Sequence, residues 1–190
     1  MAPTSPRPRA LDGIRVVDFS WVRAGPWATR WLGALGAEII KIEQAPGGDP
    51  GRLIPFIREG RSGFFVQQNR GKQSLCLDMR REEARQICLD LAKECDVVLE
   101  NFAPGAMDRL GLGWEDVHRI NPRTVYCALK GFLPGPYEHR PALDEIVQYQ
   151  TGMAYMTGPP GQPLQGPGQQ RQLRRAPPSP GPPAPARTGQ

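Results

Sequence analysis

The chain has only two histidines, His118 and His139, and neither belongs to an HxxxH or comparable paired spacing. A histidine-based metal site therefore has no foundation, and no metal is expected. Its four cysteines, Cys76, Cys88, Cys95 and Cys127, show neither CxxC spacing nor the density of a disulfide scaffold, so reduced thiols are the plain reading. There is no GxSxG elbow, no GxxxxGK[ST] loop, and no GxGxxG after the first apolar run. Hydrolase, P-loop NTPase and standard dinucleotide readings each lose their main support. No uninterrupted apolar run is long enough to cross a bilayer, and the opening MAPTSPRPRA has basic residues with no apolar stretch behind them. These absences lead us to expect a soluble, cytoplasmic protein with no membrane partner.

The net charge of +5 suggests nucleic acid at first sight, but four arginines (Arg171, Arg174, Arg175, Arg187) lie in a C-terminal stretch without a single acid. Removing those four from +5 leaves residues 1 to 165 at +1. A near-neutral body argues against a groove that tracks a phosphate backbone, and no nucleic-acid partner is expected. The mixed charges from Arg80 to Glu94 read as a solvated helix face.

What is present is an alternation. IRVVDF (Ile14 to Phe19) is β-branched and apolar, a strand; Pro26 suits the first turn of a helix running to about Leu35; Gly36 suits its C-terminal cap. AEIIKIE (Ala37 to Glu43) then reads as a second strand, completing a parallel βαβ unit. SLCLDM (Ser74 to Met79) is a strand before a helix whose Ala84, Ile87, Cys88 and Leu91 recur at helical spacing. DVVLEN (Asp96 to Asn101), a short helix at Trp114 to Arg119, the strand TVYCALKG (Thr124 to Gly131) and a helix from about Ala142 to Met153 continue the pattern. The expected fold class is α/β, with a mainly parallel sheet and flanking helices.

After Gln165 the pattern stops. Residues 166–190 contain seven prolines, no aromatic and no periodicity. Such a segment buries too little apolar area to offset its ordering entropy and is expected to be disordered. Either it is a native Pro-rich tail or it is a shifted reading frame in a GC-rich gene; the interruption of an α/β pattern before a completed boundary favours the frameshift. The expected organisation is a flexible N-terminus (1–10), an α/β part (11–165) and the tail (166–190).

Four loops stand at the ends of successive predicted strands: VRAGPWA (Val22 to Ala28), NRGKQSL (Asn69 to Leu75), ENFAPGAMDRLGLG (Glu100 to Gly113) and LKGFLPGPYEHRPALDE (Leu129 to Glu145). Each alone is a weak signal. In this order, with GAEIIKIE between the first two, they resemble family III CoA-transferases, the group of formyl-CoA and carnitine CoA-transferases with α-methylacyl-CoA racemase as a relative. The resemblance runs from Leu11 to Gln165 and identifies the chain as an N-terminal, truncated piece. It implies a Rossmann-like core and coenzyme A or acyl-CoA as substrate. Val22, Arg23 and Ala24 match the family's first CoA-contacting loop. Leu77 and Arg80 match an apolar contact and a charge toward the nucleotide end. Asn101, Phe102 and Arg109 match a segment offering an amide, an aromatic face and a guanidinium. Read without the resemblance, Arg80 and Arg109 are ordinary solvated charges, Phe102 a core aromatic and Asn101 a turn former. Several relatives carry Gln where Arg23 stands.

The family's transfer runs through one aspartate that attacks the acyl-CoA thioester. In relatives it follows a Gly-Pro-Pro stretch matched here by Gly158, Pro159 and Pro160, where this chain reads GPGQQRQLRRA with no aspartate. Asp144 and Glu145 belong to an earlier element, and a nucleophile misplaced by about 1 Å loses most of its advantage. No catalytic residue is assigned. Leu143 stands where racemase relatives have histidine, which disfavours racemisation. The resemblance thus implies CoA transfer between an acyl-CoA and a small carboxylic or dicarboxylic acid, inactive as written; the alternative is a non-catalytic CoA-binding module with a Pro-rich interaction tail. Intact relatives form interlocked homodimers, a ring this chain is not expected to complete, leaving apolar sheet edges exposed. Reading the encoding DNA past Gln165 in the other two frames should reveal a glycine-rich stretch carrying an aspartate; if neither frame continues the pattern, the tail is native and the transferase expectation falls.

Overall fold

The computed structural model describes residues 8–156. The expected tail at 166–190, the Gly158 to Pro160 stretch and residues 1–7 of the expected flexible N-terminus lie outside the described residues. The chain divides into two compact units, one ending at His139 and the other beginning at Arg140.

The first unit opens with β1 (Arg15–Asp18), α1 (Ala24–Ala34) and β2 (Glu38–Gln44). A 3-10 turn (Pro50–Leu53), the short hairpin β3 (Ile57–Arg58) and β4 (Arg61–Ser62), and α2 (Gly63–Asn69) follow. Then come β5 (Gln73–Leu77), α3 (Glu82–Lys93), β6 (Val97–Glu100), α4 (Ala106–Arg109), α5 (Trp114–Ile120) and β7 (Val125–Ala128). In the second unit the described residues include α6 (Asp144–Gln150), whose first turn carries Asp144 and Glu145, the sign that favours a helix N-terminus. The main sheet is ordered β5-β2-β1-β6-β7 and every pairing in it is parallel. This is the α/β, Rossmann-like, parallel-sheet architecture the sequence led us to expect.

Strand alternation sorts the two faces of the sheet. Val17 and Phe19 of the first strand and its loop, with Ile42, join Cys88, Val98, Met107, Leu112 and Val117 in the larger core beneath α3 and α5. Val16 packs with Ala37 and Ile39 on the opposite face, against Leu32 of α1. Along that second face the residues change from apolar to charged toward the strands' carboxyl ends: Val16 is followed by Asp18, and Ile39 by Lys41 and then Glu43, all at most 1% exposed. The buried line of α3 runs through Ala84, Cys88 and Ala92 at i, i+4, i+8, which leaves Ile87 42% exposed rather than in the apolar stripe. Val125 on the edge strand β7 is 62% exposed, while the other edge is β5.

Differences from the expected elements follow packing. The strand expected over Thr124 to Gly131 pairs with β6 only over Val125–Ala128, and the helix expected from Ala142 to Met153 is the shorter α6. The turn, hairpin and helix between residues 50 and 69 were not expected, because their sequence has no sustained period. Gly36 closes α1 as expected, with a backbone φ of +121° that suits glycine. Gly25 serves a different purpose: a methyl there would run into the side chain of Ser20 and approach Leu99 Cδ2 at 3.0 Å.

Two outcomes follow. Gly25→Ala overpacks the junction of α1 with β1, costing about 1–3 kcal/mol, and should lower the melting temperature by several degrees in a calorimetric scan. In native protein, exposed Cys76 should react quickly with a thiol reagent. Cys88, whose burial pushes its thiol up to about 12, should react only on unfolding.

Candidate functional site

In a parallel sheet of this order the connections leaving β1 and β6 depart in opposite directions, opening a crevice at the carboxyl ends of those two strands. The loop after β1 runs from Phe19 to Arg23 and the loop after β6 from Asn101 to Gly105. Asn101 joins them: its Oδ1 accepts from the Trp21 N–H at 2.7 Å and its Nδ2 donates to the Trp21 carbonyl at 2.9 Å. The Trp21 and Phe102 rings meet edge to face, with centroids 4.7 Å apart. Glu100, 2% exposed, accepts from the Phe102 N–H at 2.8 Å and from Lys130 Nζ at 2.5 Å, and Lys130 also donates to the Phe102 carbonyl.

Beneath the first loop lies a buried ionic floor. Asp18 accepts from the Ser20 N–H and hydroxyl, from Thr29 Oγ1 at 2.6 Å and from Lys72 Nζ at 2.9 Å. Burial alone would raise its pKa, but Lys72, Lys41 and the two hydroxyls outweigh it and hold the carboxylate below its ordinary range. Lys72 is pulled below the usual ammonium range because desolvation exceeds what Asp18 returns. Lys41 bridges Asp49 Oδ2 at 2.9 Å and the Ser20 carbonyl at 2.5 Å. Asp49, fully buried, accepts from the Gly51 N–H at 2.7 Å and from the Val22 N–H at 3.0 Å. Glu43 completes the floor, held by a two-pronged Arg52 guanidinium at 2.7 Å, by Ser74 Oγ at 2.6 Å and by the Asp49 N–H. Desolvation pushes Glu43 upward, yet these bonds bring it from 4.5 down to about 2.

Val22 sits above this floor with φ of +64°, the β-branched member of the three non-glycine residues with positive φ among the described residues. For a β-branched side chain that conformation costs on the order of 1–3 kcal/mol and persists only where the surroundings impose it.

A cavity of about 220 Å³ opens in the crevice, lined mainly by apolar groups, among them Phe19, Trp21, Met79, Phe102 and Leu110, with Arg80 at its edge. Of the eight residues singled out from sequence, Phe102 and Arg80 line it directly. Asn101 is occupied in joining the two loops. Val22, Arg23 and Ala24 form the turn into α1, Arg23 as its N-cap residue with no side-chain cap. Leu77, at the end of β5, packs onto the larger core. The Arg80 guanidinium is engaged by Asp78 at 2.8 and 3.0 Å, which brings Asp78 down to about 2. Arg109 is exposed in the last turn of α4. A second, more polar cleft of about 330 Å³ lies past β6 and β7, between Lys130, Glu100, Asp108, Trp114 and Tyr126.

Sequence reasoning missed Trp21 and the whole ionic floor: Asp18, Lys41, Glu43, Asp49 and Lys72. A signal for part of it was present. In a parallel sheet covered on both faces, the charges of VVD and EIIKIE have no water to face, so they had to be paired.

The sequence model of the family described as CoA-transferase family III matches residues 11–171. The formyl-CoA:oxalate CoA-transferase of Rhodopseudomonas palustris (strain TIE-1) is 40% identical over 151 residues, covering 79% of this chain and 36% of its own. The succinyl-CoA:glutarate CoA-transferase of Mus musculus is 39% identical over 154 residues, covering 80% of this chain and 35% of its own. A solved hypothetical protein of Mycobacterium tuberculosis aligns with a TM-score of 0.75 at 42% identity, over 85% of this chain and 44% of that one. The chain therefore spans little more than a third of the length of the curated relatives it matches.

Removing one member of the floor leaves a buried charge uncompensated. Lys41→Met should cost about 3–5 kcal/mol of unfolding free energy in urea. Because the folded pKa of Glu43 lies below its unfolded value, its contribution is complete above about 4.5 and lost as pH falls toward about 2. Glu43→Gln should flatten the stability profile between those two pH values.

Proposed function

The chain belongs to CoA-transferase family III, and we propose that its crevice binds coenzyme A or an acyl-CoA. The observation that carries this reading is the meeting of the loops after β1 and β6, with the Met79–Arg80 segment, around one aromatic-lined cavity of about 220 Å³. An aromatic-lined, largely apolar cavity suits a purine ring, whose π-face an aromatic side chain can meet. Arg80 at its edge and exposed Arg109 on α4 offer guanidinium groups to phosphates. Val22, Arg23 and Ala24 follow Trp21 of the cavity wall directly in the loop after β1, which is where we place the pantetheine arm.

Within the family the reaction passes coenzyme A from an acyl-CoA to a free acid, and two relatives are named for oxalate and glutarate. Small carboxylic or dicarboxylic acids are accordingly the acceptors we assign. After Glu145 the sequence contains no Asp or Glu, so residues up to Gln190 supply no later carboxylate to attack a thioester. In this reading the chain binds acyl-CoA and does not transfer it by itself, and the interlocked dimer of its relatives is not formed by this segment alone.

Calorimetric titration with coenzyme A should show saturable one-to-one binding, weakened about tenfold or more in Phe102→Ala, as the loss of one stacking partner implies. Absence of saturable heat at millimolar coenzyme A would sink the binding reading. Turnover of an acyl-CoA with oxalate or glutarate by the chain alone would sink the non-transferring part.

A further inference from the structure

We propose that Asp49 is a positioning residue for the crevice: through the Val22 N–H it holds the loop after β1 in its left-handed turn, and with it the shape on which ligand affinity depends. The inference rests on the reading of this crevice as a coenzyme A site.

Four observations converge on Asp49. Val22 occupies φ of +64° with a β-branched side chain, a conformation the residue does not choose for itself. Its amide donates to Asp49 Oδ1 at 3.0 Å and reaches Oδ2 at 3.3 Å. Asp49 is itself immobilised, fully buried, with its own N–H donated to Glu43 and its carboxylate serving as N-cap of the turn at Pro50–Leu53 through Gly51. Lys41 then ties the same carboxylate to the Ser20 carbonyl, so one ammonium fixes both the anchor and the start of the loop it anchors. The contact spans 27 residues of sequence. A segment without strand or long helix of its own thus dictates the backbone of the turn that leads into α1.

Asp49 does not itself line the cavity, although its N–H is bonded to Glu43, which does, so its effect on a ligand is indirect. If its loss lets Val22 relax to ordinary backbone angles, only a fraction of molecules keep the receptive turn, and the apparent dissociation constant rises by the inverse of that fraction. Glycine at position 22 adopts positive φ without strain, so Val22→Gly should restore much of what removal of Asp49 takes away. A merely structural role for Asp49 predicts no such rescue.

The experiment combines three readouts on the full chain. Asp49→Ala is the first variant; should it fail to fold, Lys41→Met/Asp49→Ala removes the stranded ammonium as well. In ligand-free protein, the Val22 amide should lose hydrogen-exchange protection by NMR while amides of β1 and β6 keep theirs. Coenzyme A titration should show about a tenfold weaker dissociation constant, and adding Val22→Gly should recover most of it. Unchanged Val22 protection, unchanged affinity, or equal losses with Val22 and with Gly at position 22 each overturn the proposal. If wild-type protein does not bind coenzyme A, the functional reading and the ligand half of this inference fall together, while Val22 protection still decides whether Asp49 holds the turn.

Discussion

Two ammonium groups and three carboxylates are buried on one face of a parallel sheet, and burying them leaves few acceptable arrangements. Lys41, Asp18, Asp49 and Glu43 are at most 1% exposed, and the Lys72 side chain is 2% exposed. Each uncompensated charge in such surroundings costs several kcal/mol, so the geometry must pair all of them at once. Asp18 and Lys41 face each other in the register between β1 and β2, Lys72 arrives from the segment before β5, and Asp49 from beyond β2. The cluster therefore fixes where four separate segments meet. Hydrophobic burial alone, being non-directional, does not specify such a meeting point.

This requirement explains why the charges sit at the carboxyl ends of the strands. At the other end of the same face Val16, Ala37 and Ile39 form an ordinary apolar cluster that any similar volume could fill. Toward the crevice, the same alternation places groups that must be hydrogen-bonded in defined directions, and three of their partners are backbone of the loop after β1: the Ser20 N–H, the Ser20 carbonyl and the Val22 N–H. The loop is thus shaped from below by ionic contacts and from the side by the Asn101 amide, which satisfies both the N–H and the carbonyl of Trp21. With its backbone held at both places, the loop presents a fixed wall to the cavity, reducing the ordering cost that a ligand would otherwise bear.

How much of this was legible in the sequence depended on the kind of signal. The strands and helices with clear periods, from β1 to α3 and on to β7, were read within a few residues of their observed ends, because their apolar faces dominate their packing. Residues 50–69 were left unread because a 3-10 turn, a two-residue hairpin and a seven-residue helix are too short to show a period. That gap mattered, since it opens directly after Asp49, the N-cap of its first turn, and holds both the Arg52 that pairs with Glu43 and Phe65, whose ring lies 3.8 Å from the Arg52 guanidinium. The motif loops pointed to Asn101 and Phe102 by their likeness to a family, but their division of labour is a matter of geometry. Asn101 joins two loops and Phe102 faces the cavity, which no one-dimensional pattern distinguishes. Arg80 was assigned to a ligand through the family resemblance alone, and its bonds to Asp78 mean that any phosphate would first have to compete with a neighbouring carboxylate.

The arrangement also bears on how binding and chemistry can be separated. Every residue of the ionic floor, both crevice loops and the residues lining the cavity lie before His139, within one compact unit. The floor and the Asn101 junction are built from residues of this first unit. A carboxylate nucleophile, by contrast, acts only through its position relative to a bound thioester and adds nothing to the pairing of Asp18, Lys41 and Asp49. The crevice loop is held in shape by the pairing of these buried charges, whatever reaction takes place beside it.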